Sequence, residues 1–278
     1  MAAHAHISWR KGNAMVHSLN WSDSTSSKDG LETSESGPLN IITAQTVQNF
    51  PSFQSGGLNL RETREGPECD LVREYVASYL PPPSRGQSLT VFIEPEIESG
   101  FPDVVAVYTQ VATTRRWMPA RACLKKVDVR MAHFLATMGA SDFDRLERFF
   151  PANPKRSLDR LLDAGVVRNT SGTWRLRALR DVFAVRRLVA IEAKIVDWKD
   201  GLRQAFQNVW FASESYLLLP RLPRVPLLLE GASRFGVGLR VSGQPLDSPE
   251  LRPRPARIPR SYASWLFNEW VWRAGCAE

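Results

Sequence analysis

Hydrophobic residues recur at helix and strand periods on both sides of a long central segment. From Pro67 to Tyr79, apolar residues are spaced three and four apart, between one proline at the start and three at residues 81–83. This spacing predicts an amphipathic helix. The runs SLTVFIEPEI and DVVAVYTQVA then predict two strands, with the turn-prone residues 98–102 between them. We expect these two strands to pair as a hairpin.

A second patterned region begins at RRLVAIEAKIVDW. Apolar residues alternate there with Glu192 and Lys194, and alternation at a period of two predicts a strand. Residues 197–211 repeat apolar positions at helix spacing, so we expect a helix with one apolar face. YLLLP and FGVGLRV predict two more short strands. A tail rich in Pro and Arg starts at Arg221, and its last stretch, YASWLFNEWVW, predicts a helix that packs its tryptophans on the core.

The segment between the second and third predicted strands, residues 119–180, is too long for a hairpin connection. Its pattern predicts short helices at 129–138 and 143–150, and a third helix at 154–164. GVVRNTSGTWRLR then predicts two strands around a turn at 169–172. Three helices followed by a hairpin resemble a winged helix-turn-helix domain. We therefore interpret this segment as a folded insert.

Positive charge is concentrated in and around the insert. Residues 114–187 contain 17 Lys and Arg against 7 Asp and Glu, whereas the whole chain has a net charge of +7. The remainder is therefore net negative, and a polyanion would be attracted to the insert. On its third helix, burial of Leu158, Leu161 and Leu162 would leave the polar residues facing outward. The candidate nucleic-acid contacts on that helix and on the hairpin are Lys155, Arg156, Ser157, Arg160, Arg168 and Arg175.

The N-terminal residues differ in composition from the rest of the chain. They are rich in Ser, Thr, Asn and Gly and have little apolar periodicity, which predicts a flexible arm. A chain of 278 residues has ample material for a core and room for two modules. We divide it into the arm (1–57), the first part of an α/β core (58–118), the insert (119–180), the second part of the core (181–245) and the Pro/Arg-rich segment with the aromatic helix (246–278).

Composition disfavours several classes of protein. The three cysteines lie far apart without a CxxC motif, which disfavours a zinc–cysteine site or a disulfide scaffold and favours a reducing cytoplasm. The longest apolar runs are far shorter than a membrane span, and the first residues do not resemble a secretion signal. There is no GxSxG, and the four histidines lie outside the predicted strands, so a Ser or Cys hydrolase has little support.

Candidate chemistry centres on IEAK, where Glu192 and Lys194 are two residues apart on one strand and therefore point to the same face. An isolated Glu-x-Lys is usually a solvated salt bridge. Here an earlier strand opens with Pro102 and Asp103 before the apolar run VVAV, and a helix follows the Glu-x-Lys strand. This order resembles the PD-(D/E)xK nuclease superfamily, over residues 66–115 and 187–243.

The resemblance implies an α/β fold with a restriction-endonuclease-like mixed sheet flanked by helices, interrupted by the small α+β winged-helix insert. It also implies that Asp103 and Glu192 bind a divalent metal, usually Mg²⁺, with Mn²⁺ as a substitute. Carboxylate oxygens suit such hard cations, which lower the pKa of a bound water. Lys194 would position or activate that water or stabilise charge on the phosphate. The expected substrate is DNA, most simply a duplex.

Further site residues follow from the same resemblance. Family members often place another glutamate on the first helix, which makes Glu68 the candidate and Glu74 the alternative. Either one is equally well interpreted as an ordinary surface charge. Glu96, just before the Pro-Asp turn, is another candidate carboxylate. Gln204 resembles a glutamine that several branches of the family carry on the helix after Glu-x-Lys, and with Gln207 it could contact the site or the nucleic-acid backbone; a helix-surface amide is the alternative.

One feature departs from the family pattern. Asp103 and Glu192 are separated by 88 residues, where the family usually has a tight hairpin. An insert that closes on itself would restore the pairing, with strand continuations at Arg115 and Ala184. The first hypothesis is therefore an endonuclease, for phage defence or a mobile element, acting as a homodimer or in a larger nucleoprotein complex. The second is a non-catalytic nucleic-acid-binding regulator or assembly subunit, in which Glu192 and Lys194 form a structural salt bridge.

Overall fold

The computed structural model describes residues 59–61, 64–244 and 249–276, together with the backbone of two short strands nearer the N-terminus. The rest of the predicted arm lies outside the described residues. The strands are β1 (His17–Leu19), β2 (Ala44–Val47), β3 (Gln87–Ile93), β4 (Val104–Gln110), β5 (Val167–Thr170), β6 (Thr173–Leu176), β7 (Val185–Ala193), β8 (Glu214–Leu219) and β9 (Gly238–Val241). The helices are α1 (Pro67–Ser78), α2 (Val111–Thr114), α3 (Lys126–Met138), α4 (Phe143–Phe149), α5 (Pro154–Asp163), α6 (Leu179–Val182), α7 (Trp198–Asn208), α8 (Pro226–Phe235) and α9 (Tyr262–Cys276).

The fold is a mixed α/β sheet flanked by helices, which confirms the coarse fold class expected from the sequence. The strand order is β1-β2-β3-β4-β7-β8-β9. Strands β3, β4 and β7 are antiparallel neighbours, whereas β7, β8 and β9 are parallel. The predicted β3–β4 hairpin is present, and β4 lies beside β7. The Pro-Asp strand and the Glu-x-Lys strand are therefore adjacent.

The chain leaves the sheet after Gln110 and returns at Ala184. The backbone N–H of Gln110 donates to the carbonyl of Ala184 at 2.9 Å, and Thr109 pairs with Val185. We expected the continuation to run as far as Arg115, but α2 begins at Val111 and ends the strand earlier. The hydrogen bonds between β4 and β7 therefore continue up to Gln110 and Ala184, where the chain leaves the sheet and returns to it.

The insert has the predicted order of elements: α3, α4 and α5 are followed by the β5–β6 hairpin. Its core is not separate from that of the rest of the molecule. Met131, Leu146 and Leu158 of the insert belong to the same buried cluster as Trp265 and Trp270 of α9. The residues that the central sheet contributes to this cluster are Phe92, Val105, Val107, Val185, Leu188 and Ala190. Leu162, predicted to face inward, is instead exposed, because α5 packs through Leu158 and Leu161.

Helix α9 also contributes a buried polar network. The Nε and Nη2 of Arg121 donate to the carboxylate of Glu269 at 2.8 and 2.7 Å, and Nη2 also donates to the carbonyl of Val182. The side-chain oxygen of Asn268 accepts from the backbone N–H of Ala184 at 2.8 Å. Arg121 follows the start of the insert, and the other two backbone groups lie near its end. One helix thus holds both connections between the insert and the sheet.

Helices cover both faces of the central strands. Helix α1 packs on one face through Leu71, Val72 and Tyr75, while α7 and α8 join α9 and the insert on the other side. Strand β7 is consequently buried on both faces rather than alternately exposed. The sequence interpretation missed α8, because its prolines suggested a tail; Pro226 stands in the first turn, where the missing N–H costs no helical hydrogen bond.

Candidate active site

Asp103 and Glu192 lie opposite each other on neighbouring strands. Val104 of β4 pairs with Ile191 of β7, so the residue before Val104 faces the residue after Ile191 in the antiparallel register. Directly opposed residues project to the same face of a sheet. The Oδ2 of Asp103 also accepts a hydrogen bond from the backbone N–H of Ala193 at 2.7 Å. The two acids are therefore brought together despite their distance in sequence.

Burial raises the pKa values of both acids, and repulsion from Asp103 adds to the effect at Glu192. Burial raises the pKa of Asp103 to about 6, although the hydrogen bond from the Ala193 N–H and the positive charge of Lys194 both act to lower it. Glu192 is only 4% exposed. Burial and the nearby Asp103 raise its pKa well above the ordinary value, opposed by a hydrogen bond from Asn208 and by Lys194. Two buried carboxyl groups cannot both ionise cheaply without a cation beside them.

Lys194 follows β7 directly and lies between two helix N-termini. Its Nζ is 3.8 Å from the Oε2 of Glu68 on α1 and 4.0 Å from the Oδ2 of Asp200 on α7. Its backbone N–H donates to the carbonyl of Leu218, which keeps the chain extended past the end of the strand. The ammonium group stabilises the ionised forms of Asp103 and Glu192. All three residues proposed from the sequence therefore share one site.

Of the two glutamates considered on the first helix, Glu68 is the one at this site. Besides its contact with Lys194, its Oε1 accepts from the backbone N–H of Ile195 at 3.4 Å. Glu74 instead accepts a hydrogen bond from Ser242, two turns further along α1. Helix α1 thus contributes an acid from its first turn, beside the end of β7.

Glu94 is a carboxylate that the sequence interpretation did not consider. It is buried, has a left-handed backbone conformation with a φ of 47°, and forms an ion pair with Arg61. Its backbone N–H donates to the carbonyl of Asp103 at 3.1 Å. Glu96, the predicted candidate from the same EPE triplet, contacts Asn59 instead. Alternation along the strand does not distinguish these two residues, and the turn conformation at Glu94 decides between them.

A cavity of about 250 Å³ opens beside Asp103. Its charged lining residues are Arg61, Arg64, Glu68, Glu94 and Asp103. Acidic groups that suit a cation and arginines that suit a phosphate therefore lie around one small opening. Neither arginine was singled out from the sequence, because both precede the first predicted helix in a segment without a recognisable pattern.

Helix α7 closes the site from the other side. A Cβ added to Gly201 would lie 2.5 Å from the Cγ of Lys194, so glycine is what allows this close approach. Two turns later, the Nδ2 of Asn208 donates to the Oε1 of Glu192 at 2.6 Å. Gln204 lies on the same helix face between them, and its side-chain oxygen is buried without a partner among the described residues. Gln207 is exposed and lies away from the site.

The donor set fits a single Mg²⁺ ion held by few protein ligands. Among the described residues, no group of three or more His, Cys, Asp and Glu side chains is arranged to hold a metal. Asp103 and Glu192 together offer hard carboxylate oxygens, and a cation between them would stabilise the ionised forms that burial disfavours. Mg²⁺ commonly uses one or two protein carboxylates and completes its shell with water and phosphate oxygens. The two predicted ligands are chemically suitable.

The candidate nucleic-acid contacts divide into exposed and internally engaged residues. Lys155 and Arg156 are exposed at the start of α5. Ser157 was expected to face outward, but it is buried because it shares the inner face of the helix with Leu161. Arg160 is turned inward to the buried Asp128 of α3, with two hydrogen bonds of 2.6 Å.

The hairpin candidates are both exposed. Arg168 and Arg175 occupy directly opposed positions on β5 and β6. Like charges in this arrangement destabilise a strand pair unless an anion lies near them. Among the candidate nucleic-acid contacts, the exposed cations thus lie at the start of α5 and on the hairpin.

Comparison with known proteins identifies no relative: no family model, curated protein or solved structure matches the chain. In the part of the chain that the structure describes, no helix is long and apolar enough to cross a membrane. The fold and site define a mixed α/β protein with an acid pair and a lysine at the end of its central strands.

Proposed function

We propose that the protein is a Mg²⁺-dependent nuclease of the PD-(D/E)xK type that hydrolyses phosphodiester bonds in DNA. One observation carries the proposal. Asp103 and Glu192, with 88 residues between them in sequence, face each other across β4 and β7 with Lys194 at their side. A structural salt bridge would need one acid and one base, whereas this site buries two acids whose charges repel each other.

Each residue has a role that follows from its position. Asp103 and Glu192 hold the cation, and the Ala193 N–H orients the first of these carboxylates. Bound Mg²⁺ supplies a more acidic water and neutralises charge on the phosphate. Lys194 positions the attacking water or stabilises charge on the phosphate oxygens. Glu68 and Asp200 hold the lysine ammonium near the acid pair.

DNA engagement by the insert is supported by its exposed cations. The order of three helices and a hairpin resembles a winged helix-turn-helix domain, in which the third helix lies toward the major groove. Lys155 and Arg156 lie at the start of that helix. A phosphate between Arg168 and Arg175 would relieve the repulsion of two like charges across the hairpin. Symmetric cutting of both strands would favour a homodimer, and phage defence or a mobile element is the proposed setting.

The test is cleavage of plasmid DNA by the purified protein with Mg²⁺ and then with EDTA. Cleavage should require the metal. Lys194→Ala should abolish cleavage and leave DNA binding unchanged, because the lysine lies at the acid pair and not on the insert. Lys199→Ala is a matched control, since Lys199 is an exposed lysine on the adjacent helix turn and should retain activity. Metal-dependent cleavage by Lys194→Ala at the wild-type rate would refute this site.

A non-catalytic DNA-binding regulator or assembly subunit is the second candidate. The contacts of Lys194 with Glu68 and Asp200 favour it, because they give the lysine a structural role. DNA binding that persists with no cleavage of linear, nicked, branched or single-stranded substrates in Mg²⁺ or Mn²⁺ would favour this candidate over the nuclease.

A further inference from the structure

Asn208 is a buried polar residue beside the proposed metal site. It is 3% exposed at the end of α7. Its Nδ2 donates to the Oε1 of Glu192 at 2.6 Å. A buried amide is costly unless its hydrogen bonds are made, and here the partner is one of the two proposed metal ligands.

The contact between Asn208 and Glu192 follows from the way α7 packs beside the site. Gly201 brings the helix against Lys194 and Leu217, where a Cβ would approach to 2.5 and 2.6 Å. Asn208 lies seven residues later, two turns along the same helix face. The helix is therefore anchored at Lys194 by one turn and at Glu192 by another.

The hydrogen bond restricts how the Glu192 carboxylate can be presented. One oxygen is engaged by Asn208, so the other is the one available toward Asp103 and a cation. We propose that Asn208 is a positioning residue, which holds the Glu192 carboxylate in the orientation needed for Glu192 and Asp103 to bind one divalent cation together. This inference rests on the proposed metal site. It gives α7 a role in orienting the acid pair, through the hydrogen bond from Asn208 to Glu192.

A second role for Asn208 has to be separated from this one. Its backbone carbonyl accepts from the N–H groups of Phe211 and Ala212 at 3.2 and 3.0 Å, which shapes the turn after α7. Those bonds use the main chain, so substitution of the side chain leaves them available. A side-chain variant can therefore test the contact with Glu192 without removing the turn.

The experiment measures Mn²⁺ binding to the full chain by isothermal titration calorimetry, with thermal unfolding in EDTA measured in parallel. The site is defined as the binding that Asp103→Asn abolishes. Asn208→Leu keeps a side chain of similar size without the amide donor, and Asn208→Ser is a smaller variant whose hydroxyl is too short to reach Glu192. Loss of a partner that orients a metal ligand typically lowers affinity 10–100-fold, and both variants should show this loss. Gln207→Leu, which removes an exposed amide from the adjacent position, should bind as the wild type does.

The outcomes separate this inference from the proposed function. If the wild type binds Mn²⁺ at the site and both folded Asn208 variants bind equally well, the positioning role is wrong and the metal site stands. If the wild type shows no binding that depends on Asp103, the metal site itself is wrong and the inference fails with it. Weaker binding in Gln207→Leu as well would show a general effect on α7 and overturn the specific role of Asn208.

Discussion

At the residue scale, ionisation of the buried acid pair lowers the stability of the metal-free protein. Asp103 and Glu192 are buried side by side, and the pKa of Asp103 is raised from its ordinary 3.8 to about 6. The folded state therefore holds a proton that the unfolded chain releases at lower pH. Protonated Asp103 therefore makes its full contribution to stability below about pH 4, and this contribution is lost as the pH rises toward and through 6.

The raised pKa of Asp103 predicts how the stability of Asp103→Asn should depend on pH in EDTA. Asparagine cannot ionise, and its side-chain oxygen can still accept from the Ala193 N–H. The variant should gain stability over the wild type as the pH rises from 4 to 8, by on the order of 2–3 kcal/mol at the upper end. Urea unfolding at pH 4, 6 and 8 measures this difference. The same gap between the two proteins at all three pH values would contradict the raised pKa.

The residues of the site were unequally predictable from the sequence. Asp103, Glu192 and Lys194 could be proposed because strand alternation and residue type are both local properties. Asn208 and Glu94 could not, since the first contacts Glu192 only through the crossing of α7 over β7. The second depends on an unusual backbone conformation in a turn. Contacts between elements carry information that a single strand or helix does not.

At the scale of elements, α5 of the insert uses its arginines for two different purposes. Arg160 pairs with Asp128 of α3, whose side chain is fully buried, while Arg156 is exposed one turn earlier. The first therefore joins two helices of the insert, and the second is available to a partner. Hydrophobic spacing alone predicted that Arg156 and Arg160 both face outward. That pattern does not show that the buried carboxylate of Asp128 needs a positively charged partner.

The two arginines should accordingly differ when each is changed to alanine. Arg160→Ala should lower the free energy of unfolding by about 2–3 kcal/mol, since it leaves the buried Asp128 without its cation. Arg156→Ala should alter stability by less than about 0.5 kcal/mol and reduce the salt dependence of DNA binding by about one unit of slope. Denaturant unfolding and binding titrations over a range of salt concentrations measure the two effects. Reversed effects would mean that α5 is oriented differently.

Secondary structure was predictable where patterns were long and regular. The β3–β4 hairpin, β7, α7 and the order of helices in the insert follow from apolar periods and turn residues. Helix α8 was missed because prolines concealed a short apolar face. Ser157 was misplaced because Leu162, assumed to be buried, is exposed, and the real inner face of α5 is rotated toward Ser157 and Leu161.

At the scale of the whole molecule, the insert and the sheet share one core through α9. Trp265 and Trp270 pack against residues of both, and the network of Arg121, Asn268 and Glu269 is completely buried. Sequence composition predicted an inserted domain with its own boundaries, whereas side-chain packing makes its stability depend on a helix from the far end of the chain. Such long-range packing is invisible to any local pattern.

We therefore expect the described part of the chain to unfold as one cooperative unit. Differential scanning calorimetry should show a single transition whose calorimetric and van't Hoff enthalpies agree. Glu269→Gln should shift this whole transition to lower temperature, because it removes the charge that balances buried Arg121. Two separated transitions, with only one sensitive to Glu269→Gln, would show that the insert folds independently.

The closed ladder at Gln110 and Ala184 has a wider consequence for finding similar sites. Antiparallel pairing fixes which residues face each other, whatever length of chain joins the strands, and the entropy of closing a loop grows only slowly with its length. Two acids at the open ends of such strands can thus meet even when an entire folded unit has been spliced between them. A motif search that limits the gap between its first acid and its Glu-x-Lys would pass over this chain, whereas a search that ignores the gap and requires only the flanking strand patterns would retain it.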